Sequence, residues 1–231
     1  METKLKTKHQ FLLKFFFIFF SAGCLQLKAQ EIKPDDSFTF ELCLPNALVN
    51  KPFELIMQGL VHANLHYQYA FKSGFYLGAG THYSYFAINE FRVPTKVYGG
   101  IHSAAAFFKT GHEKFWSERI GTDIGVRVGQ VLSFSVSDAL AAQGLSPKKI
   151  TSYYIEPNIS FILTSDVNQS FRLSVGLPIY GFTFDPQLIG LEGDFGYGPV
   201  EYRKNSTYLS VGFGYTYYLN GKKSTTPGFD D

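Results

Sequence analysis

The 231 residues carry 17% charged and 17% aromatic side chains, 22 glycines and a formal net charge of +2. Soluble domains hold about 25% charge, so something other than water is expected to cover much of this surface. The positive balance belongs to the first 29 residues, and there are only two cysteines; neither a nucleic-acid partner nor a disulfide framework has support.

The chain opens with Lys4, Lys6, Lys8 and Lys14, runs through "FFFIFFSAGCL" and closes that segment with "LQLKAQ". A basic start, a short apolar block and a small residue before a polar one predict a signal peptide, 1–29, cleaved after Ala29. The block is too short to span a bilayer comfortably. An alternative is lipid modification at Cys24, since "SAGC" resembles a lipobox. Cleavage removes five lysines and one glutamate, a net +4, and turns +2 into −2. Only Cys43 then survives.

Beyond the leader the pattern has period two, the signature of β-strands with unlike faces. "SFTFELCL" sets Phe38, Phe40, Leu42 and Leu44 against Thr39, Glu41 and Cys43. "QGLVHANLHYQYAF" sets Val61, Ala63, Leu65, Tyr67, Tyr69 and Phe71 against Gln58, His62, Asn64, His66 and Gln68. "KSG" turns it into "FYLGAGTHYSYFAI", where Leu77, Ala79, Tyr83 and Tyr85 oppose Gly78, Gly80, His82 and Ser84. "GGIHSAAAFFK" alternates more weakly, Ile101, Ala105 and Phe107 opposing His102, Ala104 and Ala106.

"RIGTDIGVRVGQVLSF" is the clearest: Ile120, Ile124, Val126, Val128 and Leu132 share one face, and Gly121, Asp123, Gly125, Arg127 and Gly129 the other. "SYYIEPNISFIL" sets Tyr153, Ile155, Ile159, Phe161 and Leu163 against Glu156, Asn158 and Ser160. "FRLSVGLPIYGF" opposes Leu173, Val175, Leu177 and Ile179 to Arg172, Ser174 and Gly176. "TYLSVGFGYTYYL" ends the series, with Val211, Phe213, Tyr215 and Tyr217 opposing Ser210, Gly212, Gly214 and Thr216. That makes eight strands. Their connections alternate between short (72–74, 110–117, 165–170) and long (45–57, 89–98, 138–150, 185–206). The third long one is predicted to hold a short helix, "DALAAQ", capped by Asp138 and stopped by Gly144 and Pro147.

A soluble barrel would turn its apolar face inward and show Lys, Glu and Thr to water. Here the non-apolar face is mostly glycine with a few ionisable residues, which suits a crowded interior. Aromatics gather near the strand ends, as at two membrane interfaces. The expected fold is therefore all-β: a single eight-stranded antiparallel up-and-down transmembrane β-barrel over 30–219. Outer-membrane lipid would surround it, short turns and a 220–231 tail would lie in the periplasm, and long loops would point outward.

In this respect the chain resembles the small eight-stranded outer-membrane β-barrels of the OmpA/OmpX type, a group of outer-membrane β-barrel-domain proteins. In "SVGFGYTY", Ser210, Gly212, Tyr215 and Tyr217 match the signal that the barrel-assembly machinery reads in that family. Members usually stop on a terminal aromatic, whereas this chain continues. The resemblance implies a membrane anchor without cofactor whose loops interact at the surface with an unnamed ligand.

Three candidate chemistries arise. A three-residue turn pairs Phe71 with Phe75, which places His62 opposite Ser84, Asn64 opposite His82 and His66 opposite Gly80. With His102 expected inward too, four imidazoles could hold zinc or copper; the plainer expectation is a hydrogen-bonded plug and no metal. "HYS" resembles the His-x-Ser of outer-membrane lipid A deacylases, which would give His82 and Ser84 catalytic roles. Their parity turns them inward, away from acyl chains, so no enzyme is expected. Glu41, Asp123, Arg127, Glu156 and Arg172 are expected to form an ion-pair network that fills the lumen and blocks wide passage. A narrow channel is the other reading of such a lumen. Asp185, Glu192 and Asp194 read as a solvated acidic loop, their spacing matching no calcium loop.

Overall fold

The computed structural model describes residues 34–93, 96–145, 147–191 and 203–219. The leader 1–29, the tail 220–231 and the loop acids Glu192 and Asp194 lie outside the described residues.

Nine strands close into one antiparallel barrel. In order they are β1 (Ser37–Val49), β2 (Met57–Ala70), β3 (Phe75–Ile88), β4 (Gly99–Phe115), β5 (Ile120–Ser137), β6 (Lys148–Asp166), β7 (Gln169–Gly176), β8 (Ile179–Thr183) and β9 (Asn205–Tyr218). β1 to β7 pair in sequence order, β7 and β8 each lie between β6 and β9 without pairing with one another, and β1 pairs with β9 to leave no open edge. β7 and β8 together make one stave of an eight-stave barrel. Pro178 divides them, because it has no N–H to give a ladder; Leu177 N–H still reaches the Pro157 carbonyl at 3.0 Å.

Period two decides which residues face outward. Phe38, Phe40, Leu42 and Leu44 on β1 are 49–71% exposed, and Leu65, Leu77, Ile124, Val128, Ile159, Leu173 and Phe213 continue this wall around the barrel. Water tolerates apolar patches of a few hundred Å²; a wall on every stave calls for hydrocarbon. Backbone groups cannot be left unpaired in such a solvent, and closure of the sheet meets that condition. The second hairpin has the predicted register, His62 opposite Ser84, Asn64 opposite His82 and His66 opposite Gly80. Gly74 turns it at φ +87°, a conformation that suits glycine alone among common residues.

Several boundaries differ from those expected. β1 runs on to Val49 and is followed by α1 (Lys51–Ile56), whose N-cap Asn50 accepts from Phe53 N–H at 3.0 Å. β4 extends to Phe115, so residues predicted as a turn are strand and only 116–119 reverse the chain. The helix α2 (Asp138–Ala142) is capped by Ser137, which accepts from Leu140 N–H, and not by Asp138. Asp138 instead accepts from Tyr98 N–H across the neighbouring loop. A bulge between Gly59 and Val61 breaks the alternation of β2, so Gln58, expected inside, is exposed.

The largest correction concerns β4. Ile101, Ala105 and Phe107 are buried in the interior, and His102, Ala104 and Ala106 lie on the outer wall. The expectation failed because it equated apolar with outward, and the interior near the long loops is itself apolar. β4 therefore also sends Ser103, Lys109 and Glu113 inward.

Candidate functional site

The lumen is filled in three layers. At the short-turn end Phe115, Ile162 and Tyr218 pack together, and against them lies an ionic layer. Arg172 Nε donates to Thr216 at 2.6 Å, Nη1 to Asp123 at 2.5 Å and Nη2 to Glu113 at 2.7 Å. Lys109 Nζ reaches Asp123 at 2.8 Å and both His66 and Gln68 at 3.3 Å, using all three of its protons. Tyr76 donates to the other oxygen of Asp123 at 2.5 Å, and Tyr218 to Glu113 at 2.9 Å. One step higher, Arg127 joins Glu41 and Glu156, the latter at 2.8 Å. Tyr154 also donates to Glu156, and Ser174 to Glu41 at 3.1 Å. All seven charged groups are at most 1% exposed. Charges so far from water persist when paired and hydrogen-bonded, and β-strand alternation delivers them from five staves to one axis.

Lys109 and Glu113 belong to this network, although the sequence reading ended a strand of inverted faces on Lys109 and placed Glu113 at a turn. The inward tyrosines were missed as well. A count by twos would have found them: Tyr154 lies two before Glu156, and Tyr76 stands six before His82.

The middle layer joins imidazoles to phenols. Asn64 Nδ2 donates to Glu41 at 3.2 Å and to His62 Nε2 at 2.8 Å. Since a carboxylate beside Arg127 only accepts, the Asn64 amide is oriented, and its Oδ1 accepts from His82 Nδ1 at 2.8 Å. His82 Nε2 then accepts from Tyr180 at 2.8 Å, while His62 Nδ1 donates to Tyr208 at 3.1 Å. Tyr180 also contacts Ser84 at 2.7 Å and Tyr208 at 2.8 Å.

Both imidazole lone pairs are thereby occupied, which leaves nothing to offer a metal. Among the described residues no three His, Cys, Asp or Glu side chains are grouped to hold one. His66 sits a layer lower, on Lys109. His102 is not in the lumen at all: it stacks between Tyr85 (4.5 Å) and Phe134 (5.1 Å) on the outer wall. The four histidines therefore occupy three separate places. His82 and Ser84 meet at the Tyr180 hydroxyl, and the other imidazole nitrogen of His82 is held by the Asn64 amide, where a base would need a carboxylate. Tyr180→Phe should take one partner each from His82, Ser84 and Tyr208, and the 3.3 Å contact between Tyr208 and His82 Nε2 remains to replace it for those two. We expect a loss of about 1–3 kcal/mol, read by urea titration of the folded protein in vesicles.

The top layer is an apolar plug. Phe53 and Ile56 of α1, Phe184 and Ile189 from the segment after β8, and Val93 and Val97 of the 89–98 loop fold over the mouth. They meet Phe86, Ile101, Phe107 and Val131 from the staves. Asn50 ties two loops together, donating to the Phe184 and Lys204 carbonyls at 3.0 Å each. Ser137 donates to the Ile189 carbonyl at 2.7 Å.

The β9 residues of the expected assembly signal divide between the faces. Ser210 and Gly212 point inward, and Tyr215 and Tyr217 outward near the short turns.

No family model matches the sequence, and none of the curated proteins compared with it does either. Among solved structures, Neisserial surface protein A superposes with a TM-score of 0.53 at 9% identity, over 80% of this chain and 97% of that one. The fold is that of a small eight-stranded outer-membrane β-barrel. Two further barrels are similar. One is the attachment invasion locus protein of Yersinia pestis (TM-score 0.47, 8% identity, 81% and 99% covered). The other is the outer membrane protein OprG of Pseudomonas aeruginosa (0.45, 13%, 83% and 100%).

Proposed function

We propose that the protein is an integral outer-membrane barrel that does not conduct and serves as a rigid anchor for its long external loops. One observation carries this reading: the described lumen holds a lattice of buried ion pairs towards the short turns and an apolar plug at the loop side. An ion entering from the loop side would first meet Phe53, Phe184 and Ile189, and then a lattice whose charges already hold one another. Lipid would solvate the outer wall, and the barrel-assembly machinery would read β9 through Ser210, Gly212, Tyr215 and Tyr217. The loops would carry whatever surface contacts the protein makes.

The full chain, folded into planar bilayers, is expected to give no regular unitary conductance steps, and fractionation is expected to recover it with the outer membrane. Steady unitary steps would favour the channel reading. Recovery in the soluble periplasm, with identical migration boiled and unboiled, would end the barrel-anchor reading.

A further inference from the structure

His102 raises a question that the anchor role leaves unanswered, because an imidazole on a wall bathed by hydrocarbon needs a reason. It belongs to a row that crosses four adjacent strands. Tyr85 pairs with His102, His102 with Phe134, and Phe134 with Lys149. The three rings are stacked, with interplanar angles of 24° and 12°. Tyr83, in the adjacent row, contacts His102 Nδ1 at 2.9 Å. With the phenol donating, the ring proton rests on Nε2, which no described hydrogen bond uses. Lys149 is exposed and has no carboxylate within 4.0 Å among the described residues, whereas Lys148 is tied to the Gln187 carbonyl at 2.6 Å.

The height of this row is informative. Lys114, whose ammonium lies 4.3 Å from the centre of the Trp116 ring, marks the rim on the short-turn side. From Lys114 to His102 β4 rises twelve residues. At ~3.3 Å per residue and ~40° of tilt, that is about 30 Å, the thickness of a hydrocarbon core. The row therefore lies at the far rim, where headgroups begin. Below it Ala104 and Ala106 leave the wall low between Tyr83 and Leu132, so an acyl chain could lie against it.

We infer that the Tyr85–His102–Phe134–Lys149 row binds the phosphorylated disaccharide of an outer-leaflet glycolipid of the lipid A class, with Lys149 and His102 Nε2–H donating to phosphate. The site rests on the outer-membrane placement proposed above. It differs from a uniform aromatic belt in pairing a cation and a ring donor with a stacked platform on one side of the barrel.

The test uses the full chain folded into phosphatidylcholine vesicles containing bis-phosphorylated lipid A, followed by detergent release and counting of retained lipid by native mass spectrometry. Lys149→Gln is expected to lower retention about five-fold, the effect of one basic residue at an anionic surface. His102→Phe keeps the stack and should lower retention as well, whereas Lys114→Gln at the opposite rim should not. Dephosphorylated lipid A, tested against the unaltered protein, should be retained no better than phosphatidylcholine. Equal retention of the dephosphorylated lipid, equal retention of phosphatidylglycerol, or undiminished binding by Lys149→Gln would each overturn the site. Failure of the protein to enter the vesicles at all would instead overturn the membrane placement.

Discussion

Replacing Arg172 with methionine is expected to destabilise the folded barrel by about 3–5 kcal/mol, the cost of breaking a buried pair by removing one partner. Among the described residues Arg172 is the single cation that touches both Glu113 and Asp123. Without it, Asp123 keeps Lys109 and Tyr76, but among the described residues Glu113 keeps the neutral donors Gln68 and Tyr218. The measurement is reversible urea unfolding in vesicles. A useful contrast is Glu54→Ala, which removes the exposed Lys51–Glu54 pair on α1 and should change stability by less than about 1 kcal/mol. A further variant joining Arg172→Met with Glu113→Gln should recover part of the loss, since it no longer strands a charge. If Arg172→Met were as mild as Glu54→Ala, the lumen would have to be wet and its ion pairs incidental.

The second large effect concerns the wall. Val128 is 48% exposed and pairs with Phe108, which lies midway between Lys114 and His102 on β4. Val128→Lys therefore puts an ammonium near the centre of the hydrocarbon, with an expected cost of about 2–4 kcal/mol. Val128→Leu should be close to neutral, because lipid has no packed partner to displace. In a soluble barrel the same lysine would face water and cost almost nothing. Urea midpoints of the three proteins in one lipid thus separate a membrane wall from a wet one.

The eight staves, their antiparallel order, the register of the β2–β3 hairpin and the facing of Glu41, Asp123, Arg127, Glu156 and Arg172 were all legible in the sequence. The reason is geometric. A side chain in a narrow barrel has two options that alternate residue by residue, and a three-residue turn fixes which positions meet. What escaped the reading were places where polarity stops marking the face. Ile101 and Phe107 are apolar yet inside, because the loop-side lumen is sealed with hydrocarbon side chains. Tyr76, Tyr154, Tyr180 and Tyr208 carry rings that suit an interface belt, yet their hydroxyls serve as the donors that a crowded lumen of carboxylates and imidazoles requires. Glu113 was lost because hydrophilic residues close together read as a turn, and Lys109 because the faces of its strand were read inverted. Gly129 offers a smaller lesson: a Cβ built there would come within 1.9 Å of the Ala106 carbonyl oxygen, so its glycine reflects strand approach as well as lumen crowding.

The plug also bears on what the protein presents to its surroundings. Phe53, Val93 and Phe184 hold the bases of three different loop-side segments against the same interior surface, and Asn50 and Ser137 add hydrogen bonds to the segment after β8. Segments rooted this way leave the barrel with their starting directions already fixed. A partner meeting them would have little chain to immobilise on arrival, so recognition could be quick and selective even over a modest contact area. A foreign peptide grafted between those roots would inherit the same stiff mounting.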